Sequence, residues 1–129
     1  MPTPILTPDI LFFFDGQPGA LALYEELARK LLAVYPSTRI QVKKTQVGFH
    51  DGRLYACASL APVRRKALRP DPFLTVTFSL DAPDPSPRLV CMPVRRNRFT
   101  HHAVIGFPSD IDAELLAWLR ASHDLGRHF

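Results

Sequence analysis

The chain has 129 residues, of which 47% are hydrophobic and 22% are charged. These fractions are typical of a globular protein and exclude disorder over the whole chain. The formal net charge of +4 suits anionic partners such as nucleic acid, although a charge of this size is also common in proteins that only need to stay soluble. The length fits one domain, which we place at residues 1–129, with a proline-rich tail at residues 1–9.

The longest apolar run in the chain is "ILFFF" at residues 10–14. A helix needs about 20 apolar residues to span a bilayer, and no basic segment of the kind that precedes a secretory core is found at the N-terminus. We therefore expect a soluble cytoplasmic protein that has no membrane partner.

An amphipathic helix is predicted from Pro18 to the residue before Pro36. Proline suits the first helical position, where its missing N–H would have no partner. Apolar residues recur at spacings of three and four, and the set on one side is Ala20, Tyr24, Leu27, Ala28, Leu31 and Tyr35. We expect this helix to pack on an apolar surface.

The hydrophobic period changes to two after residue 38, which predicts a series of strands. Their expected bounds are residues 39–45, 53–60, 73–80, 88–94 and 99–107. The third has the clearest alternation, with one apolar side formed by Leu74, Val76, Phe78 and Leu80. We expect hairpin connections at "HDG", residues 50–52, and at the proline-rich stretch of residues 81–87.

A last helix is predicted after Ser109, whose side chain is expected to cap it together with Asp112. Gly126 is expected to end this helix, and its apolar stripe consists of Ile111, Leu115, Trp118 and Leu119. The order of elements leaves no room for parallel crossovers. The predicted fold is therefore α+β: a mainly antiparallel sheet of about five strands, flanked by an N-terminal and a C-terminal helix in a two-layer sandwich.

Lys44 interrupts the strand pattern. If the strand at residues 39–45 is continuous, Ile40, Val42 and Lys44 share one face, and an inward lysine is costly unless it is paired or opens onto a cleft. A cation at the rim of a pocket is the functional interpretation. The alternative is that the strand ends at Val42, so that Lys43 and Lys44 both reach water.

The segment "RRNRFTHH" at residues 95–102 combines three arginines with two histidines. Strand alternation places His101 on the core face and His102 on the other, so the pair is poorly placed to hold zinc together. A lone histidine in a sheet is more often a hydrogen-bonded structural residue than a catalytic one. We expect no metal site and no cofactor, and we find neither a G-x-S-x-G elbow nor a glycine-rich phosphate loop.

Cys57 and Cys91 lie in strand-like contexts without the C-x-x-C spacing of a zinc knuckle or a redox dithiol. Two buried free thiols are expected, with a disulfide between them as the alternative. The basic stretch at residues 63–70 is interpreted as a solvated loop, with phosphate contact as the alternative.

Several motifs in order resemble one known family over roughly residues 14–122: "LYEELARKL", "KKTQVGF", "RLYACASL", "SPRLV", "RFTHHAVIG" and "DIDAELLAWLRAS". As a set they resemble the domain of unknown function numbered 5655, a bacterial family without an established activity. The resemblance implies a small α+β domain that occurs alone or attached to other domains. It also implies polar or otherwise distinctive positions at Lys44, Thr45, Gln46, Phe49, Arg88, Thr100, His101, His102, Asp112 and Trp118.

The function predicted from the sequence is that of a non-enzymatic binding module with a cationic cleft. Its ligand would be a carboxylate, a phosphate or a nucleic-acid backbone. The candidate ligand-binding residues are Lys44, Gln46, Arg88, Arg98, His101 and His102, provided that their strands neighbour one another. One alternative is an enzyme that uses His101 or His102 as acid or base, and another is a protein–protein interaction module in which "ILFFF" anchors a partner or a homodimer.

Overall fold

The computed structural model describes residues 3–125, and within them three helices and six strands follow one another along the chain. They are α1 Pro8–Phe13, α2 Pro18–Val34, β1 Arg39–Val42, β2 Val47–Asp51, β3 Arg53–Ser59, β4 Leu74–Leu80, β5 Leu89–Arg95, β6 Arg98–Ile105 and α3 Ala113–Leu125. Short 3-10 turns lie at Lys66–Leu68 and Pro108–Asp110.

Both N-terminal helices start at a proline. The Thr7 hydroxyl accepts a hydrogen bond from the Ile10 amide at 3.2 Å and caps α1, in which Pro8 occupies the first turn. Pro18 begins α2, and the helix ends at Val34, two residues before Pro36. The predicted helix is therefore confirmed. The short α1 is an addition to the prediction and contains most of "ILFFF".

All strand pairs are antiparallel, and the six strands lie in the order β1-β2-β3-β4-β6-β5. Helices lie at both the N-terminal and the C-terminal part of the described chain, so the predicted α+β class is confirmed. One strand, β2, was absent from the predicted series. It begins at Val47, within the stretch that the sequence pattern treats as the end of a single long strand and its turn.

The first strand ends at Val42 and turns directly into β2. The Lys43 amide donates to the Gln46 carbonyl at 2.8 Å, which leaves Lys44 and Thr45 at the tip of a tight hairpin. Lys44 is exposed there. The alternative in which the strand stops at Val42 is thus the one found, and Lys44 is not an inward residue of a strand.

Two other connections differ in their agreement with the prediction. Gly52 has a φ of 75° in the turn from β2 to β3, a conformation that favours glycine, so the hairpin at "HDG" is confirmed. The proline-rich stretch before Arg88 is not a hairpin connection, because β6 lies between β4 and β5. The hairpin partner of β5 is β6, joined through a turn in which Asn97 has a φ of 59°.

The start of α3 is capped by a different residue from the one expected. Asp112 accepts a hydrogen bond from the Leu115 amide at 2.9 Å, whereas Ser109 lies in the preceding 3-10 turn. A carboxylate directly before the helix suits the positive end of its dipole, which explains the position of the start. Gly126, the expected end of the helix, lies outside the described residues.

The core lies between one face of the sheet and the helices. Tyr24 of α2 stacks on Phe49 with ring centroids 6.2 Å apart, and Trp118 of α3 stacks on Phe78 at 6.0 Å. The alternation predicted for β4 is confirmed, since Leu74, Val76 and Phe78 are buried on this side. Of the helices in residues 3–125, none combines the length and hydropathy that a bilayer crossing requires.

We call the opposite side of the sheet the open face, because the helices pack on the other side. Cross-strand register places Cys57, Thr77 and His102 in one row on this face. The loop at residues 60–73 covers one end of it, where the Thr75 hydroxyl donates to the Ala61 carbonyl at 2.7 Å. This contact explains why Thr75 is fully buried although it faces away from the core.

Candidate functional site

A cavity of about 690 Å³ lies between α1, the β1–β2 turn and the end of β3. We call it the α1 cavity. Ligand pockets in proteins commonly have volumes of about 300–1,000 Å³ and mainly apolar walls. The lining residues are Asp9, Phe12, Phe13, Val42, Lys43, Lys44, Thr45, Leu60 and Ala61.

The apolar wall of the α1 cavity comes from the run "ILFFF". Ile10 and Phe14 are buried in the core and hold α1 against the sheet. Phe13 is half-buried and packs edge-on against Phe14 at 4.9 Å, whereas Phe12 is 85% exposed. The anchoring residues therefore present Phe12 and Phe13 to the cavity from a fixed helix.

The segment before α1 is held to the rest of the fold by hydrogen bonds. The Tyr24 hydroxyl donates to the Ile5 carbonyl at 2.8 Å, and the Thr3 hydroxyl donates to the Thr38 carbonyl at 2.7 Å. Burial raises the pKa of Tyr24, so the phenol remains a donor at every physiological pH.

Charge at the α1 cavity comes from two lysines and one carboxylate. Lys43 and Lys44 belong to the β1–β2 turn, and Asp9 lies in the first turn of α1. Within residues 3–125 neither lysine side chain forms a salt bridge. The lining has a formal charge of +1, from two lysines and one aspartate, and its cations are not neutralised by partners.

Gln46 lies on the open face of the sheet and is not part of the α1 cavity. It lines a second cavity of about 240 Å³ together with Cys57, Thr77, Thr100 and other residues around the point where β3 and β4 separate. Ser122 of α3 bridges these two strands, accepting from the Ser79 amide at 3.1 Å and donating to the Tyr55 carbonyl at 2.7 Å.

Arg88 is committed to internal contacts. Its guanidinium bonds both oxygens of Asp112 at 3.0 and 3.1 Å, Glu114 at 2.7 Å and the Asp110 carbonyl at 2.9 Å. It also lies over the Trp118 ring at 5.5 Å. The Leu115 amide, followed by Arg88, holds the pKa of Asp112 below its ordinary range. This cluster fastens the start of α3 to the start of β5.

His101 is fully buried on the core side and stacks on Phe78 with ring centroids 5.6 Å apart. Its Nε2 accepts from the Asp84 amide at 3.0 Å, and its Nδ1 lies 3.1 Å from the Phe99 carbonyl. These partners fit the tautomer in which Nδ1 carries the proton and Nε2 accepts. Both nitrogens are occupied inside the protein, which is typical of a structural histidine.

His102 lies on the open face, as strand alternation predicts. Its Nδ1 is 2.8 Å from the Thr77 hydroxyl, and burial, with a smaller effect from His101, lowers the pKa of the ring. Cys57 lies beside Thr77 in the same row, and burial raises the pKa of its thiol to about 11. The ring and the thiol are therefore neutral at pH 7.

Arg98 begins β6 opposite Arg95, at the tip of the β5–β6 hairpin. Lys44 lies at the turn between β1 and β2, and strands β3 and β4 separate this side of the sheet from β6. With about 4.8 Å between neighbouring strands, the distance across the sheet exceeds the reach of hydrogen bonds. The structure does not gather the six candidate residues into one cleft.

Sequence reasoning missed two features of the structure around the candidate residues. The first is the role of Phe12 and Phe13 as a cavity wall, for which the cap Thr7 and the following proline give the sequence signal of a helix. The second is His123, which is buried, lies 2.7 Å from Asp51 and stacks on Tyr35 at 3.7 Å. A histidine near a chain end carries no pattern that reveals such partners.

The two cysteines are free, as expected, but only Cys57 is buried, because Cys91 is half-exposed. Cys57 lies on the open face, whereas Cys91 pairs in register with His101 of the core face. Among residues 3–125, no group of three or more histidine, cysteine, aspartate or glutamate residues is arranged to hold a metal ion.

Comparison with curated proteins and with solved structures finds no significant match to this chain. A family model described as "Domain of unknown function (DUF5655)" matches residues 12–126, which include α1 from Phe12 onward, the whole sheet and all of α3. The chain therefore belongs to the DUF5655 family.

Proposed function

We propose that the protein is a small binding domain that takes an organic anion in the α1 cavity. Lys44 would attract the carboxylate or phosphate group of the ligand, and Phe12 and Phe13 would cover its apolar part. The observation that carries this proposal is the combination, in one cavity of about 690 Å³, of two exposed lysines with an aromatic wall.

The exposure of Phe12 supports an apolar contact. Phe12 is 85% exposed and Leu11 before it is 52% exposed, whereas Phe13 is half-buried and Phe14 is buried. Fully burying a phenylalanine side chain is worth about 1.5–3 kcal/mol. A ligand that covers this ring would gain a sizeable part of that free energy.

The charge of the rim supports an anionic group. Lys43 and Lys44 have no salt-bridge partner within the described residues, while Asp9 is the acidic residue of the lining. A carboxylate placed beside an apolar wall is less hydrated than in bulk water, which strengthens its attraction to an ammonium group. A ligand with both an apolar body and an anionic end fits the cavity better than a bare anion.

A thermal-shift and calorimetric titration tests this proposal with 1-naphthoate, the neutral 1-naphthalenemethanol and inorganic phosphate. We expect 1-naphthoate to raise Tm and to bind more tightly than the other two. Lys44→Ala should weaken naphthoate binding about fivefold. Phe12→Ala should weaken it without changing the Tm of the free protein, because the ring is exposed.

Lys66→Ala is the matched control, because Lys66 is an exposed lysine of the loop after β3 and is not part of the α1 cavity. It should leave naphthoate affinity unchanged. Unaltered Tm with all three probes, in wild type and Lys44→Ala alike, would contradict the proposal.

A further inference from the structure

The described strand residues that face the open side of the sheet are polar, apolar or basic, and none of them carries a carboxylate. The sheet residues that alternate onto it include Gln41, Gln46, His50, Leu54, Cys57, Thr77, Thr100, His102, Val90 and Met92. None of these described residues is acidic. A surface of this composition offers hydrogen bonds and apolar contact without repelling a polyanion.

Cations surround the open face on three sides. Arg39 lies in β1, which is one edge of the sheet, and Lys43 directly follows this strand. Arg95 and Arg96 are exposed at the tip of the β5–β6 hairpin, near the other edge. With about 4.8 Å between strands, the two edges of a six-stranded sheet are about 24 Å apart.

The third side is the loop at residues 60–73, which crosses one end of the open face. The loop is held near β4 by the Ala61 carbonyl and near the start of β5 by a hydrogen bond of 2.8 Å from Arg64 to the Pro87 carbonyl. Arg65 and Lys66 are exposed on it. The basic stretch that sequence alone left as a solvated loop is therefore placed beside the same surface as the basic hairpin.

Two imidazole rings lie between these cations. A side chain at Gly48 would come within 2.9 Å of His50 Nε2 and 3.0 Å of Leu54 Cδ1, so both residues lie over the flat patch that this glycine leaves. His102 lies on the same face and is half-buried. Burial, followed by the charges of Lys43 and Arg39, lowers the pKa of His50, and burial lowers that of His102. Both rings are neutral at pH 7.

We propose that the open face binds single-stranded nucleic acid, with the arginines of the β5–β6 hairpin and the cations of the crossing loop contacting phosphates, and His50 and His102 contacting bases. Single-stranded binders combine a cationic path for the backbone with flat rings for the bases, and histidine can supply such a ring. The helices lie on the other side of the sheet, so no helix of the described chain is available on this face to enter the groove of a duplex.

Fluorescence anisotropy with a labelled thymidine oligomer of about 15 nucleotides tests this proposal, since sites of this kind cover about 4–16 nucleotides. We expect saturable binding at about 50 mM salt and weaker binding to a duplex of the same length. The affinity should fall as salt rises, with a slope of about 0.7 for each phosphate contacted.

Charge variants locate the surface. The double variant Arg95→Ala with Arg96→Ala should lower the affinity at least about fivefold and reduce the salt slope, because phosphate contacts are lost. Arg29→Ala with Arg120→Ala is the matched control. It removes the same net charge from exposed helical positions and should change the affinity less than twofold.

Substitution of the histidines should affect binding differently from substitution of the arginines. His50→Ala with His102→Ala should lower the affinity while leaving the salt slope unchanged, because neutral rings release no counterions. Circular dichroism would show that each variant is folded. Absence of saturable binding, equal affinity for the duplex, or equal loss in the helical control would each overturn the proposal. Binding to phosphatidylserine vesicles without binding to the oligomer would also overturn it, in favour of a membrane surface.

Discussion

The two faces of the sheet use the same kinds of polar residue in opposite ways. His101 on the helix-covered face, and Arg88 beside the start of α3, are satisfied by partners inside the protein. On the open face, His50 and His102 remain half-exposed, and the charges of Lys43 and Arg39 act on His50. Polar residues that stand out in the sequence therefore fall into two groups, and only those that the fold leaves accessible are available for a ligand.

The neighbouring histidines of β6 give the strongest test of this contrast. His101→Ala should lower the free energy of unfolding by about 3 kcal/mol, because it leaves a cavity beside Phe78 and an unpaired Asp84 amide. His102→Ala should cost less than about 1 kcal/mol, because the ring is half-exposed and makes one hydrogen bond. Urea denaturation followed by circular dichroism measures both, and equal losses would contradict the division between the faces.

Arg88 gives the next largest effect. Arg88→Ala should lower the free energy of unfolding by about 1.5 kcal/mol, since it removes contacts to the start of α3 and to Trp118. The estimate is modest because 29% of the side chain is exposed and such ion pairs are screened. Arg120→Ala, at an exposed position of α3, should change the stability by less than about 0.5 kcal/mol. If Arg88→Ala were equally mild and instead reduced anion binding, Arg88 would be a ligand residue.

The parts of the fold that follow from local patterns could be predicted. The 3.6-residue period of α2 and the strict alternation in β4 each bury one side, so the class of fold follows from them. The sequence allowed for a strand end at Val42 as an alternative, but it did not predict a tight hairpin there, because the turn at Lys44 and Thr45 lacks the asparagine or glycine that usually marks one. The insertion of β6 between β4 and β5 depends on pairing between distant segments, which local sequence does not encode.

The same limit applies to the candidate site. The alternation of β6 correctly separates His101 from His102, because facing depends only on parity along a strand. It gives no information on which side of the sheet holds Lys44, or on the carboxylates that occupy Arg88. Those depend on the order of strands and on the position of α3, and both are properties of the assembled fold.

A pH titration of stability examines the open-face histidines. The pKa values of His50 and His102 lie below their ordinary value of 6.5 in the folded protein. As the pH falls below 6.5, the unfolded chain therefore binds more protons than the folded protein does. The free energy of unfolding decreases in that range and is retained at higher pH. The variant His50→Gln with His102→Gln should lose less stability than wild type between pH 7.5 and pH 5.5, measured by urea denaturation. An identical loss would show that these rings are freely hydrated.

The two cysteines provide the last comparison, which concerns the reactivity of their thiols. Burial raises the pKa of the Cys57 thiol to about 11, so about one molecule in a thousand carries the thiolate at pH 8. Cys91 is half-buried on the edge strand β5. Iodoacetamide at pH 8 should therefore modify Cys57 at least about tenfold more slowly than Cys91, as measured by peptide mass spectrometry.

In denaturant the two thiols should react at the same rate, which provides the control. If Cys57 reacted as fast as Cys91 in the folded protein, the row that contains Thr77 and His102 would be open to solvent at its centre, and a nucleic-acid base could reach deeper into the sheet than the two histidine rings.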